Sequence, residues 1–123
     1  MLSARHRLRS SAEFRTTIRR GRRSGGPALV VHLLLPGRGA AAGAPARIGL
    51  VVSRAVGPAV TRNLVKRRLR HLLRDRVDSL PPGATLVVRA LPAAAVTPYA
   101  ALGEEVDRLL ASCTAARADR TVT

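Results

Sequence analysis

The chain has 123 residues, 46% of them hydrophobic, which suffices for one domain with a core of its own. Its formal net charge of +15 is uneven: up to Arg74 there are 16 Arg and Lys66 against Glu13 alone, and beyond it five Arg against six acids. A polyanionic partner therefore faces the first three-fifths of the chain, while a single cysteine excludes an intrachain disulfide and no apolar run is long enough to span a membrane.

The opening MLSARHRLRSS lacks the apolar stretch of a secretory signal and reads as a basic arm over residues 1–9. Ser10 and Glu13 have the spacing of a capping box and predict a short helix over about Ser11–Arg20, with Phe14 and Ile18 one turn apart. Phe14, the single phenylalanine, reads either as a core residue or as a stacking platform for a base. Arg22–Gly26 is an edge strand or a loop. Ala28–Leu35 is a strand, bounded by Pro27 and by Pro36–Gly37. His32 within it is a satisfied or surface histidine, since no second ligand stands two to four residues away. Pro36–Ala46 has the composition of a flexible loop, and Arg47–Arg54 (RIGLVVSR) is a second strand.

Gly57–Pro58 then opens the most distinctive stretch, AVTRNLVKRRLRHLLRDR, Ala59–Arg76. At 100° per residue Val65, Leu69, Leu72 and Leu73 share one arc, while Asn63, Arg67, Arg70, His71 and Arg74 lie opposite with Arg62 and Lys66 flanking. Like charges one turn apart, as in Arg62/Lys66, Lys66/Arg70 and Arg70/Arg74, each cost about 0.2–0.5 kcal/mol unless an anion neutralises them. A solvated helix mixes signs to avoid that cost, and this one does not. The helix is suited to a polyanion.

Leu80–Gly83 (LPPG) is a turn, Thr85–Ala90 a third clear strand, and Thr97–Pro98 an N-cap and first turn for a last helix over about Pro98–Ser112. That helix has the apolar stripe Leu102, Val106, Leu109 and Leu110, with Cys113 as a small packing residue near its end. The order of elements predicts a two-layer α/β (α+β) sandwich with a mixed sheet of about four strands and three helices. A single domain is expected over 1–114 and a disordered tail over 115–123. No phosphate-binding loop, zinc spacing or Ser/His/Asp constellation occurs. Seven acids, six of them after Arg74, do not supply the clustered carboxylates of a two-metal nuclease, so no catalytic residue and no metal ligand are expected in the protein itself.

Gly57–Arg70, GPAVTRNLVKRRLR, resembles the signature helix of the protein subunit of bacterial ribonuclease P, in which Arg-Asn-Arg is followed by Lys-Arg. Leu8–Arg9, Glu13–Phe14 with Arg20–Gly21, the strand RIGLVVSR, the LPPG turn and the helix beginning at Pro98–Tyr99 occur in the family's order, so the resemblance covers about Leu8–Leu110. It implies a fold similar to the second domain of ribosomal protein S5, with a left-handed crossover through the basic helix. It also implies a cytoplasmic protein that binds a large catalytic RNA, in a complex that removes the 5′ leader of precursor tRNA by Mg²⁺-dependent hydrolysis, the RNA doing the chemistry and largely holding the metal. No membrane and no DNA are implied as partners.

Carried over by position, Arg62, Asn63, Lys66, Arg67 and Arg70 would face the catalytic RNA. Phe14, Ile18, His32, Val52 and Arg54 would line a cleft for the single-stranded leader. The sequence departs from the family at several places. Leu64 stands where the signature has its second Arg, Ile18 and His32 where Phe and Tyr are frequent, and Ala55 where Lys is frequent. Arg89 stands one place before a common Arg, which would turn it to the other face of its strand. The rival readings are a ribosomal or general RNA-binding protein on the same fold, a binder of anionic lipid and a protein-only nuclease. The lipid reading is opposed by the lack of Trp and Phe in the basic helix, and the nuclease reading by the missing carboxylates.

Overall fold

The computed structural model describes residues 2–36 and 44–122, with side chains described as far as Thr114. Most of the expected loop after Pro36, residues 37–43, lies outside the described residues. The elements are α1 (Ser11–Arg20), β1 (Arg22–Gly25), β2 (Leu29–Leu34), β3 (Arg47–Val52), α2 (Ala59–Arg74), β4 (Thr85–Ala90) and α3 (Tyr99–Val122), with single 3-10 turns between some of them. At the start of α1 the Ser10 hydroxyl accepts the Glu13 backbone N–H at 3.3 Å, so the capping half of the expected box is formed.

The four strands form one mixed sheet in the order β1-β2-β4-β3. β1 pairs with β2 and β2 with β4 antiparallel, while β3 lies parallel to β4. A parallel pair needs a long crossover, and α2 supplies it. The core occupies one face of this sheet. Alternate residues Leu29, Val31 and Leu33 of β2, Leu86 and Val88 of β4, and Ile48 and Val52 of β3 pack there against α2 and α3. From α2 the buried side chains are Val65, Leu69, Leu72 and Leu73, the stripe that helical spacing marks out.

Helix α1 lies on the opposite face. Phe14 rests directly on Gly49 of β3, where a Cβ would collide with the ring. The N-terminal arm is not free. Leu8 donates its backbone N–H to Ile48 O at 2.9 Å, Arg7 bridges to the same residue, and Leu2 and Leu8 are buried. The arm thus covers the exposed edge of β3, which would otherwise present unpaired backbone groups.

Two further expectations are corrected at α3. The helix runs to Val122, past the expected end at Ser112. Between Ala111 and Val122 there is neither Gly nor Pro to end it. Thr97 turns its hydroxyl back to Ala93 O at 2.7 Å, so it does not cap α3. The core role read for Cys113 holds: its side chain is buried, and burial pushes the thiol above its ordinary value.

Two acids of α3 fasten it to the rest. Asp107 accepts a fork of hydrogen bonds from Arg76, just past α2, at 2.6 and 3.1 Å, which holds its carboxyl below the ordinary value. Glu105 is buried at 3% exposure and accepts the backbone N–H groups of Ala28 at 2.9 Å and Leu29 at 2.6 Å. Both donors stand at the start of β2, where no neighbouring strand takes them. Glu105→Ala leaves two buried N–H groups unpaired and should cost about 2–4 kcal/mol in chemical denaturation, with Glu105→Gln losing less because one acceptor remains.

Candidate RNA interface

The basic face of α2 divides into parts. Arg62 sits at its first turn, partly buried, with Nε donating to Gly57 O at 3.2 Å. Gly57 has φ 150°, which favours glycine there, and this fixes the carbonyl that orients Arg62. Lys66 and Arg70, one turn apart, look toward the β3 edge. With Arg7, Arg9, Leu8, Phe14 and Gly49 among their neighbours they surround a cavity of about 310 Å³. Asn63 and Arg67 are exposed and border a separate open hollow together with Val60 and Leu64. From Ala59 to Arg74 the helix contains no acid, and the ion pair at its end, Arg74 with Asp75 at 3.6 Å, is exposed. The five positions expected to face the catalytic RNA therefore share one helix but not one patch.

The cleft residues divide more sharply. Strand register puts Arg23, His32, Val87 and Gly49 in one row across the sheet, on the face that carries α1. Phe14 crosses this row at Gly49. Glu13, Thr16 and Thr17 line a cavity on one flank of α1 with Leu34, Thr85 and Arg47, and Glu13 pairs with Arg47 at 2.7 Å. Phe14 and Ile18 belong to the other flank, and Ile18 is 36% exposed. The row beyond that flank consists of Val30, Arg89 and Val51.

Three of the five expected cleft residues, Phe14, Ile18 and His32, are thus brought to the α1 face. Val52 is not: its side chain is buried in the core on the opposite face, because it is one residue out of phase with Gly49 and Val51. Arg54 lies past the end of β3 in a 3-10 turn, exposed, and no described contact ties it to α1. Arg89 shares the face of His32. Val51, Arg23 and Arg89 are the positions that reading by motif missed. Alternation along RIGLVVSR and TLVVRA would have found Val51 and Arg89 once Gly49 was known to lie under Phe14.

His32 is 2% exposed, and among the described residues neither ring nitrogen has a hydrogen-bond partner. Burial, then the Arg89 and Arg23 guanidinium groups, hold its pKa below the ordinary 6.5. The folded ring thus resists a proton that the unfolded chain accepts near 6.5. Stability is undiminished above that pH and falls below it. In urea titrations between pH 7.5 and 5, a His32→Phe variant should lose less stability on acidification than the parent chain; equal losses would show that the ring is not held neutral.

Among the described residues no group of three His, Cys, Asp or Glu side chains could hold a metal ion, and no helix is long and apolar enough to cross a membrane. Residues 2–114 match the Ribonuclease P family. The ribonuclease P protein component of Nocardioides sp. is 61% identical over 110 residues, spanning 89% of this chain and 92% of that protein. Among solved structures, the RNase P protein of Thermotoga maritima superposes with a TM-score of 0.71 at 26% identity, covering 86% of this chain and 96% of that one. A mutant Staphylococcus aureus RNase P protein shares the fold with a TM-score of 0.78 at 21% identity, over 89% and 88% of the two chains. A basic crossover helix on a mixed four-stranded sheet, the signature read from Gly57–Arg70 and a family match over nearly the whole chain agree: the chain belongs to the ribonuclease P protein family.

Proposed function

We propose that the chain binds ribonuclease P RNA and the 5′ leader of precursor tRNA on separate surfaces, and that the RNA carries out the hydrolysis. As a family member it is a component of the endoribonuclease ribonuclease P and works with that enzyme's RNA. The finer reading rests on one observation above all. An acid-free helix is locked to the core by Val65, Leu69, Leu72 and Leu73, and its cations are left to an external anion. Asn63, Lys66, Arg67 and Arg70 would meet the catalytic RNA, with Arg62 steadying the first turn.

The α1 face would hold the leader. Phe14 and Ile18 offer an apolar flank against which a single-stranded base can stack, and Arg23 and Arg89 offer charge to its backbone. His32 would act from beneath as a neutral packing group, while Val52 has no place in this surface. Mg²⁺ would be held mainly by the RNA: no three carboxylate, histidine or cysteine side chains among the described residues come together to hold an ion, and Glu105, Asp107 and Glu13 are already engaged by β2, Arg76 and Arg47. No step of the reaction is assigned to a protein side chain. The chain's contribution is positioning and screening, its cations replacing metal ions around closely packed phosphates. A cytoplasmic location fits this role.

Reconstitution with the same organism's ribonuclease P RNA and a precursor tRNA at low Mg²⁺ tests the reading. The protein alone should cut nothing, and the mixture should far exceed the RNA alone. Lys66→Ala/Arg70→Ala should weaken the stimulation about tenfold or more through lost phosphate contacts. An unchanged rate for the RNA with and without protein would instead favour a general RNA-binding protein.

A further inference from the structure

The outward crest of α2 is not uniformly cationic. Val60, Asn63, Leu64 and Arg67 follow the i, i+3, i+4, i+7 spacing of a single helical stripe, centred opposite the buried stripe of Val65 and Leu69. They point straight away from the sheet. Val60 is 81% exposed, Leu64 is half-buried, and the four border an open hollow of about 450 Å³. Neither aliphatic side chain belongs to the core cluster, so folding does not account for apolar surface at these positions. Valine is also a poorer helix former than the alanine or arginine that a solvated crest would carry.

We propose that this hollow receives an unpaired nucleobase of ribonuclease P RNA, seated on Val60 and Leu64 with its edge on the Asn63 amide and its phosphate on Arg67. The inference rests on the reading that α2 docks on that RNA. Charge selects the occupant. An apolar protein segment would have to reach Val60 and Leu64 through a helix that carries Arg62, Lys66, Arg67, Arg68 and Arg70 and no acid. A nucleotide brings both things the hollow asks for, a flat weakly polar face and an anion one bond system away. Duplex RNA stacks its bases out of reach, so the site takes a base from a loop, bulge or junction. The amide of Asn63 supplies one donor and one acceptor side by side, which a base edge can match and a phosphate cannot.

The test compares binding of the full-length ribonuclease P RNA by the whole chain and by Val60→Ala/Leu64→Ala, across salt concentrations. Both positions are on the surface and alanine favours the helix, so circular dichroism should show an intact fold. Loss of an aliphatic base contact should weaken binding about three- to tenfold at every salt concentration. The slope of affinity against salt should stay unchanged, because no cation is removed. Lys66→Ala should lower that slope by about one. Dimethyl sulfate probing should show an unpaired base protected by the parent chain and released by the double variant. If the double variant binds and protects like the parent while Lys66→Ala still lowers the slope, the nucleobase site is wrong and the docking helix stands. If Lys66→Ala also changes nothing, the docking reading fails as well.

Discussion

The face proposed to meet ribonuclease P RNA depends on holding α2 in place against its own charge. A helix with cations repeated at i, i+4 and no acid to relieve them is poorly stable by itself. Four buried side chains on its opposite arc, together with the parallel pairing of β3 and β4 that brackets it, keep it on the sheet. Past its C-terminus Arg76 is tied to Asp107 of α3, so the acidic half of the chain helps to position the basic half. The repulsion left over among Arg62, Lys66, Arg67 and Arg70 is then available to be relieved by phosphate. On the proposed reading, the same cation that destabilises the free protein would strengthen the complex.

The second face follows from a small residue. Gly49 leaves room for the far end of the Phe14 ring against β3, and that contact sets which sheet row α1 crosses. One flank of α1 then carries the Glu13–Arg47 pair, and the other looks toward Val30, Arg89 and Val51. The N-terminal arm, paired along β3, reaches Lys66 and Arg70 across the shared cavity. The two surfaces are therefore adjacent at one edge of the sheet while lying on its opposite faces.

Much of this was legible in the residues because it depends on local periodicity. The span of α1, the buried stripe of α2 and the strand Thr85–Ala90 each follow from spacing and capping within one segment. At the sites, the failures are failures of phase or of long range. Val52 was placed in the cleft by its position in a motif, yet a strand turns each successive residue over, and Val51 is the one that shares a face with Gly49. The pairing of the arm with Ile48 and the capture of two β2 amides by Glu105 link segments 40 and 76 or more residues apart, and no local pattern announces them. The hollow at Val60 and Leu64 shows in the sequence only as an odd leucine among arginines, and the fold leaves it uncovered by any described residue.

The central claim is that the crest of α2 meets the catalytic RNA while the α1 face meets the leader. Site-directed hydroxyl-radical cleavage tests it most directly: iron–EDTA is tethered to a single cysteine introduced at Arg67 or at Val51, with the buried Cys113 replaced by alanine, and the holoenzyme is assembled with precursor tRNA. The account predicts cuts in ribonuclease P RNA from position 67 and cuts in the 5′ leader from position 51. Leader cuts from position 67, or from position 51 cuts confined to ribonuclease P RNA, would contradict it.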